Sequence, residues 1–197
     1  MKAVFLGGSR KLSRLNEVIR RRLESIMDGG LWVYVGDADG ADKALQRFFA
    51  SHRYDRVLVY CVEGRYRNNV GHWPTKAVQP PAGARGFDYY AAKDIQMASD
   101  ASFGMMLWDG VSRGTLANIR NLLAHGKPVT IYLSSHRIFR DLKHETELAE
   151  LLSSKRSLER PAKVGRGALQ RELPFVPGVG TRATLPNKRL KLTGGLK

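Results

Sequence analysis

The stretch LWVYVGDADGAD, Leu31 to Asp42, decides the fold. Five apolar residues in a row are too few for a buried helix and read as a strand covered on both faces. The loop that follows carries two glycines and three aspartates. Ala41, Ala44, Leu45, Phe48 and Phe49 then recur at helical spacing. Asp39 sits where an N-cap belongs, and Asp42 three residues on can reach back as in a capping box. Both carboxylates also suit the positive end of a helix dipole. Gly36 and Gly40 let the backbone bend close to another group. Asp37, in the loop itself, is left for function, as an acceptor for a ribose hydroxyl or as a ligand of Mg²⁺. Mg²⁺ usually takes substrate phosphates as well. The aspartates therefore argue for a shaped nucleotide pocket, with no metal and no separate cofactor expected.

Working outward, the same strand–loop–helix unit repeats. KAVFL is a short strand, followed by GGSR and a helix capped by Ser13, with Leu15, Val18, Ile19, Leu23 and Ile26 at helical spacing and Gly29 and Gly30 at its end. RVLVYCV is a third strand. A long irregular stretch from Glu63 to Phe87 interrupts the rhythm, and Asp88 is the expected cap of a helix running to about Ser99. SFGMMLW is a fourth strand, followed by DGVSRGT and a helix bearing Leu116, Ile119, Leu122 and Leu123, which Gly126 stops. PVTIYL is a fifth strand, and an amphipathic segment runs from about His136 to Leu152. This alternation predicts an α/β domain with a doubly wound, mostly parallel sheet of about five strands. In such sheets ligands bind beyond the carboxyl ends of the strands, where strand order reverses.

Three glycine-bearing loops fall at those ends. GGSR offers close backbone approach at Gly7 and Gly8, a hydroxyl at Ser9 and a cation at Arg10, a set that seats a phosphate or a ribose; a tight turn needing glycine would read the same. In DGVSRGT, Ser112, Arg113, Gly114 and Thr115 open a helix whose free N–H groups and dipole favour an anion. Ordinary capping by Ser112 or Thr115 explains the hydroxyls but not the arginine. Gly36, Asp37, Ala38, Gly40 and Asp42 complete the expected site, with Asp109 at the head of the third loop.

Composition bounds the rest. The 197 residues carry a formal charge of +15 and are 43% hydrophobic, ordinary for a globular chain. From Arg156 onward there are 10 Lys and Arg against 2 Asp and Glu, +8 of that total. The segment from Arg156 to Lys197 reads as a disordered basic tail appended to a domain spanning Met1 to Lys155. Such a tail is either a solvated extension or an arm with weak affinity for nucleic acid. Cys61 is the single cysteine, which excludes an intramolecular disulfide and fits a reducing cytoplasm. No apolar run approaches the roughly 20 residues of a spanning helix, and the start is too short for a signal peptide. A soluble cytoplasmic protein is expected, with no membrane partner and self-association left open.

GGSR after the first strand, the G-x-A-x-G-x-D of Gly36, Ala38, Gly40 and Asp42 after the second, and S-R-G-T after the fourth together resemble the SLOG superfamily over roughly Met1 to Leu133. The resemblance implies a Rossmann-like sheet and a nucleotide ligand, including derivatives of NAD and ADP-ribose; many bacterial members lie in conflict or phage-related systems. It also brings two alternatives. The LOG phosphoribohydrolases and nucleoside deoxyribosyltransferases place a glutamate three residues beyond G-T for their glycosidic chemistry. Asn118 stands there in this chain, and an amide is neither nucleophile nor general base. No catalytic residue is assigned, with Asp94 and Asp109 the carboxylates left to substitute. The DNA-processing protein A family, which binds single-stranded DNA, shares G-S-R at Gly8 to Arg10, the Gly36 to Asp42 pattern and G-T-L at Gly114 to Leu116. Tyr66, Trp73, Phe87, Tyr89 and Tyr90 could stack bases, cover a small nucleotide or merely pack their loop down.

Overall fold

A computed structural model of the chain describes residues 2–153. The expected disorder of the basic tail falls on residues outside that range. Seven strands form one sheet in the order β4-β3-β2-β1-β5-β6-β7. They are β1 (Ala3–Gly8), β2 (Trp32–Val35), β3 (Val57–Val62), β4 (Thr75–Val78), β5 (Phe103–Trp108), β6 (Val129–Leu133) and β7 (Ile138–Leu142). All neighbours pair in parallel except β6 and β7. Helices α1 (Glu17–Asp28), α2 (Ala41–Ser51), α3 (Gly86–Asp100), α4 (Arg113–Ala124) and α5 (Glu145–Ser153) cover the two faces.

The apolar strands carry no polarity alternation because each feeds two cores. On β1, Ala3 and Phe5 face α3, α4 and α5, while Val4 and Leu6 face α1 and α2. On β5, Met106 and Trp108 join the first core, and Met105 and Leu107 the second. Gly104 of β5 has no room for a side chain: a Cβ there would lie 2.1 Å from Leu122 of α4. The glycine lets α4 settle directly against the sheet.

The doubly wound α/β class stands as expected, with seven strands rather than about five. β4 lies inside the stretch expected to be irregular. Its sequence TKAV exposes Thr75 and Ala77, and Pro74 and Pro80 flank it, so it carries no apolar run. β7 takes the front of the expected amphipathic segment. It is an antiparallel edge strand whose Arg140 and Asp141 are exposed, the charged composition that edges favour. Two caps also differ. Asn16, not Ser13, caps α1, its Oδ1 accepting from Ile19 N at 3.0 Å. α3 begins at Gly86 with no side-chain cap, and Asp88 lies within its first turn.

Strand order reverses at β1, which pairs with β2 on one side and β5 on the other. The loops after β1 and β5 therefore open side by side on a common crevice.

Candidate functional site

A cleft of about 580 Å³ lies in that crevice, within the size range of small-ligand sites. Its back is a tie between the two loops. Ser9 Oγ donates to Asp109 Oδ2 at 2.8 Å, and Asp109 Oδ1 accepts from Ser112 N at 2.8 Å and Val111 N at 3.1 Å. Burial opposes the charge on Asp109, but the bonds from Ser112, Ser9 and Val111 outweigh it and hold the carboxyl below the usual range. Asp109 thus lines the cleft as a fastening whose oxygens are occupied.

Ser112 caps α4, accepting from Thr115 N at 3.4 Å and from the Thr115 hydroxyl at 3.1 Å. Thr115 is buried with its proton committed to Ser112. Arg113, exposed beside the first turn, makes no hydrogen bond or ion pair with any described residue; the same holds for the side chains of Arg10 and Lys11. The free N–H groups of α4, Arg10, Lys11 and Arg113 make this end of the cleft an anion site. Gly8 is held for packing: a Cβ there would lie 2.4 Å from Leu107 O and 3.0 Å from Ala41 Cβ.

The GDADGAD loop divides its residues differently from the expectation. Asp37 is 2% exposed and bound by Arg67, which donates from Nη2 (2.7 Å), Nε (3.1 Å) and its backbone N–H (3.0 Å). Burial works against ionisation of Asp37, yet these bonds and the nearby Lys93 ammonium keep its carboxyl below the ordinary range. Asp37, Gly36 and Gly40 do not line the cleft, whereas Ala38 and Asp42 do. Asp39 is exposed and pairs with Lys43 at 3.3 Å; the N-cap of α2 is Gly40, without a side-chain bond. Gly40 has φ +84°, and a Cβ on it would lie 2.1 Å from Arg10 O, so the start of α2 presses on the loop after β1. Asp42 does reach back, its Oδ2 accepting from Ala38 N at 3.2 Å.

The floor holds charges that the linear sequence hides. Lys93 is 3% exposed and donates to Asp94 at 2.5 Å, with Asp37 at 3.8 Å. Burial opposes its charge, but the surrounding Asp94, Asp42 and Asp37 outweigh that and hold the ammonium above its ordinary range. Asp42 goes the other way: burial lifts its carboxyl to about 7 despite Lys93. Gly36 leaves space for this cluster, since a Cβ would lie 2.4 Å from Asp42 Oδ2 and 2.8 Å from Lys93 Nζ.

Part of the lining is aromatic. Phe87 and Tyr90 of α3 line the cleft at 58% and 43% exposure, large apolar rings left in solvent. Phe87 lies over the first turn of α4, 3.9 Å from where a Gly114 Cβ would be. Arg67 stacks on Tyr90 at 4.6 Å while it holds Asp37. Trp73, Tyr89 and Tyr66 do not line the cleft, and Tyr66 is exposed. Trp73 is buried with its indole N–H on Tyr54 O, and Tyr89 donates to Glu63. Asn118, one turn into α4, also lines the cleft.

Gly8, Ser9, Arg10, Ala38, Asp42, Asp109, Ser112, Arg113, Gly114 and Thr115 are thus brought together in one cleft. Lys93 and Arg67 escaped the sequence reading. The signal for Lys93 was its spacing of four from Met97, which puts it on the buried face of α3. Among the described residues, no group of three or more His, Cys, Asp or Glu is placed to hold a metal ion, and no helix is long and apolar enough to cross a membrane. No protein-family model matches the chain, and no curated protein matches it significantly.

Proposed function

We propose that the cleft binds a phosphate-bearing nucleotide or nucleotide-sugar, such as a derivative of NAD or ADP-ribose, as a binding or sensing module of the SLOG type. The observation that carries this reading is the pairing of two unlike walls. Unpartnered Arg10 and Arg113 flank the open N-terminus of α4, and the exposed rings of Phe87 and Tyr90 line the same cleft, Phe87 over the first turn of α4. Phosphate takes the first wall and a base the second. A solvated surface needs no exposed aromatic pair beside a helix N-terminus. Asp94, which lines the cleft, is the acceptor for ribose hydroxyls in this reading.

Calorimetric titration with AMP, NAD and ADP-ribose tests the reading. Arg113→Ala should weaken the bound ligand by about 1.5–3 kcal/mol, the range for a hydrogen bond to a charged group. Absence of binding by all three, or an Arg113→Ala variant that binds as the parent does, would overturn it.

A further inference from the structure

A second cavity, of about 610 Å³, opens where β5 and β6 begin, at the other end of the sheet from the cleft. Its volume also falls within the range of small-ligand sites. α1 contributes Arg22 and Ile26 to the lining, β5 contributes Phe103 and Met105, and the β6–β7 hairpin contributes Thr130 and Asp141. The helices on this face of the sheet are α1 and α2, because α3, α4 and α5 join the other core. β1 and β5 are each six residues long. At roughly 3.3 Å per residue, about 20 Å of strand separates this opening from the cleft.

Arg22 sets the chemistry. It stands on the buried stripe of α1 with Ile19, Leu23 and Ile26, and is 5% exposed. Its guanidinium lies 5.6 Å from the centre of the Phe139 ring. Burial works against its charge, and Asp141 offsets only part of that. Asp141 is itself shared, its Oδ1 accepting from the Thr130 hydroxyl at 2.6 Å. Among the described lining residues Asp141 is the one acid, set against Arg22, Lys2 and Lys143. The cavity thus carries a surplus of positive charge, and its buried cation sits beside apolar walls. A guanidinium in low-dielectric surroundings attracts a carboxylate more strongly than one in water, and its fork matches the two carboxylate oxygens. Ile26 and Met105 are buried and Phe103 partly so. Ile26 and Phe103 offer apolar area and no polar partner for a sugar.

We propose that this cavity binds an apolar monocarboxylate, of the chemical class of medium-chain fatty acids. The carboxylate pairs with Arg22, and the hydrocarbon body lies along Ile26, Phe103 and Met105. One buried guanidinium balances one negative charge, whereas a phosphate dianion would bring a second charge to be desolvated. The site is independent of the nucleotide reading of the cleft.

The test uses the full chain with decanoate and its neutral counterpart decanol, both below micelle-forming concentrations, and measures affinity by calorimetry. Decanoate should bind about tenfold or more tighter than decanol, the scale of a charge-assisted hydrogen bond. Each methylene removed on the way to octanoate should weaken binding roughly two- to fourfold. Arg22→Met keeps an apolar side chain at the position, and should weaken decanoate about tenfold while leaving decanol within about twofold. Asp141→Asn, at an exposed position, removes the competing charge and should tighten decanoate roughly two- to fivefold. Should Arg22→Met fail to fold, the decanol comparison and Asp141→Asn still decide. Equal affinity for decanoate and decanol would overturn the pairing with Arg22, as would an Asp141→Asn variant that binds decanoate no tighter than the parent. Failure of the parent to bind decanoate overturns the site outright. Self-association seen by sedimentation and broken by Phe103→Ser would also overturn it, assigning this face to a second copy of the chain.

Discussion

Ser9 and Asp109, 100 residues apart, are joined by a 2.8 Å hydrogen bond that closes the crevice between the loops after β1 and β5. Ser9 is 2% exposed, so its loss leaves a partner that water replaces poorly. Ser9→Ala should cost about 1–2 kcal/mol in urea denaturation. Asp109 is held below its ordinary pKa, so its share of stability is present above the unfolded carboxylate value. That share disappears as pH falls through the lower folded value. The Ser9→Ala deficit should therefore narrow below about pH 4, and a constant deficit from pH 7 to pH 3 would contradict the tie.

Asp42 predicts the opposite pH slope. Its folded pKa of about 7 lies above the unfolded value, so the folded state holds a proton that the unfolded chain releases first. Stability from this group falls as pH rises from about 4 to 7 and then levels off. Asp42→Asn removes that slope. Denaturation midpoints at pH 5 and pH 8 should shift in the variant's favour at the higher pH, and parallel curves for the two proteins would refute the assignment.

Gly40 combines φ +84° with a backbone 2.1 Å from where its Cβ would be. Gly40→Ala should destabilise by about 2–4 kcal/mol through strain and displacement of Arg10. It should also weaken AMP binding, because Arg10 moves with its loop. A variant as stable as the parent would mean that the loop yields freely.

Asn118 lines the cleft, and an amide there supplies neither the nucleophile nor the general base that a glycosidic carboxylate would. Hydrolysis of AMP or NAD by the parent should be absent or very slow, since loss of such a carboxylate costs orders of magnitude. Asn118→Glu should release free base or nicotinamide measurably faster, followed by chromatography. Robust release by the parent would turn attention to Asp42, Asp94 and Asp109, the acids that line the cleft.

The parts of the fold legible in the sequence were those where one physical signal dominates. β2 and β5 are buried on both faces, so Val33, Tyr34 and Val35, and Met105, Met106 and Leu107, give unbroken apolar runs. β4 and β7 lie at the edges, where half the residues meet water and the run dissolves into TKAV and IFRDL. The cleft loops announced themselves through glycine, although Gly8 and Gly36 prove to make room for protein atoms. Asp37 was misread because its partner Arg67 lies 30 residues away in a stretch without periodicity. No local pattern encodes that pairing. Asp39 shows the same limit at short range: the left-handed Gly40 takes the cap position and turns the aspartate outward.

The missing side chain at Gly104 bears on how a ligand would be received. Leu122 fills the space where a Cβ would stand, so the C-terminal part of α4 sits directly against the sheet, and Thr115, Asn118 and Ile119 carry the buried face back to its first turn. Its first turn inherits that rigidity, with Ser112 pinned by Asp109 at 2.8 Å. Backbone donors at the cleft are therefore ordered when the chain folds, before any anion arrives. Preorganised donors spare a ligand the entropy of arranging them. Affinity at this end should then depend on which charges the ligand brings, with little lost to ordering the helix.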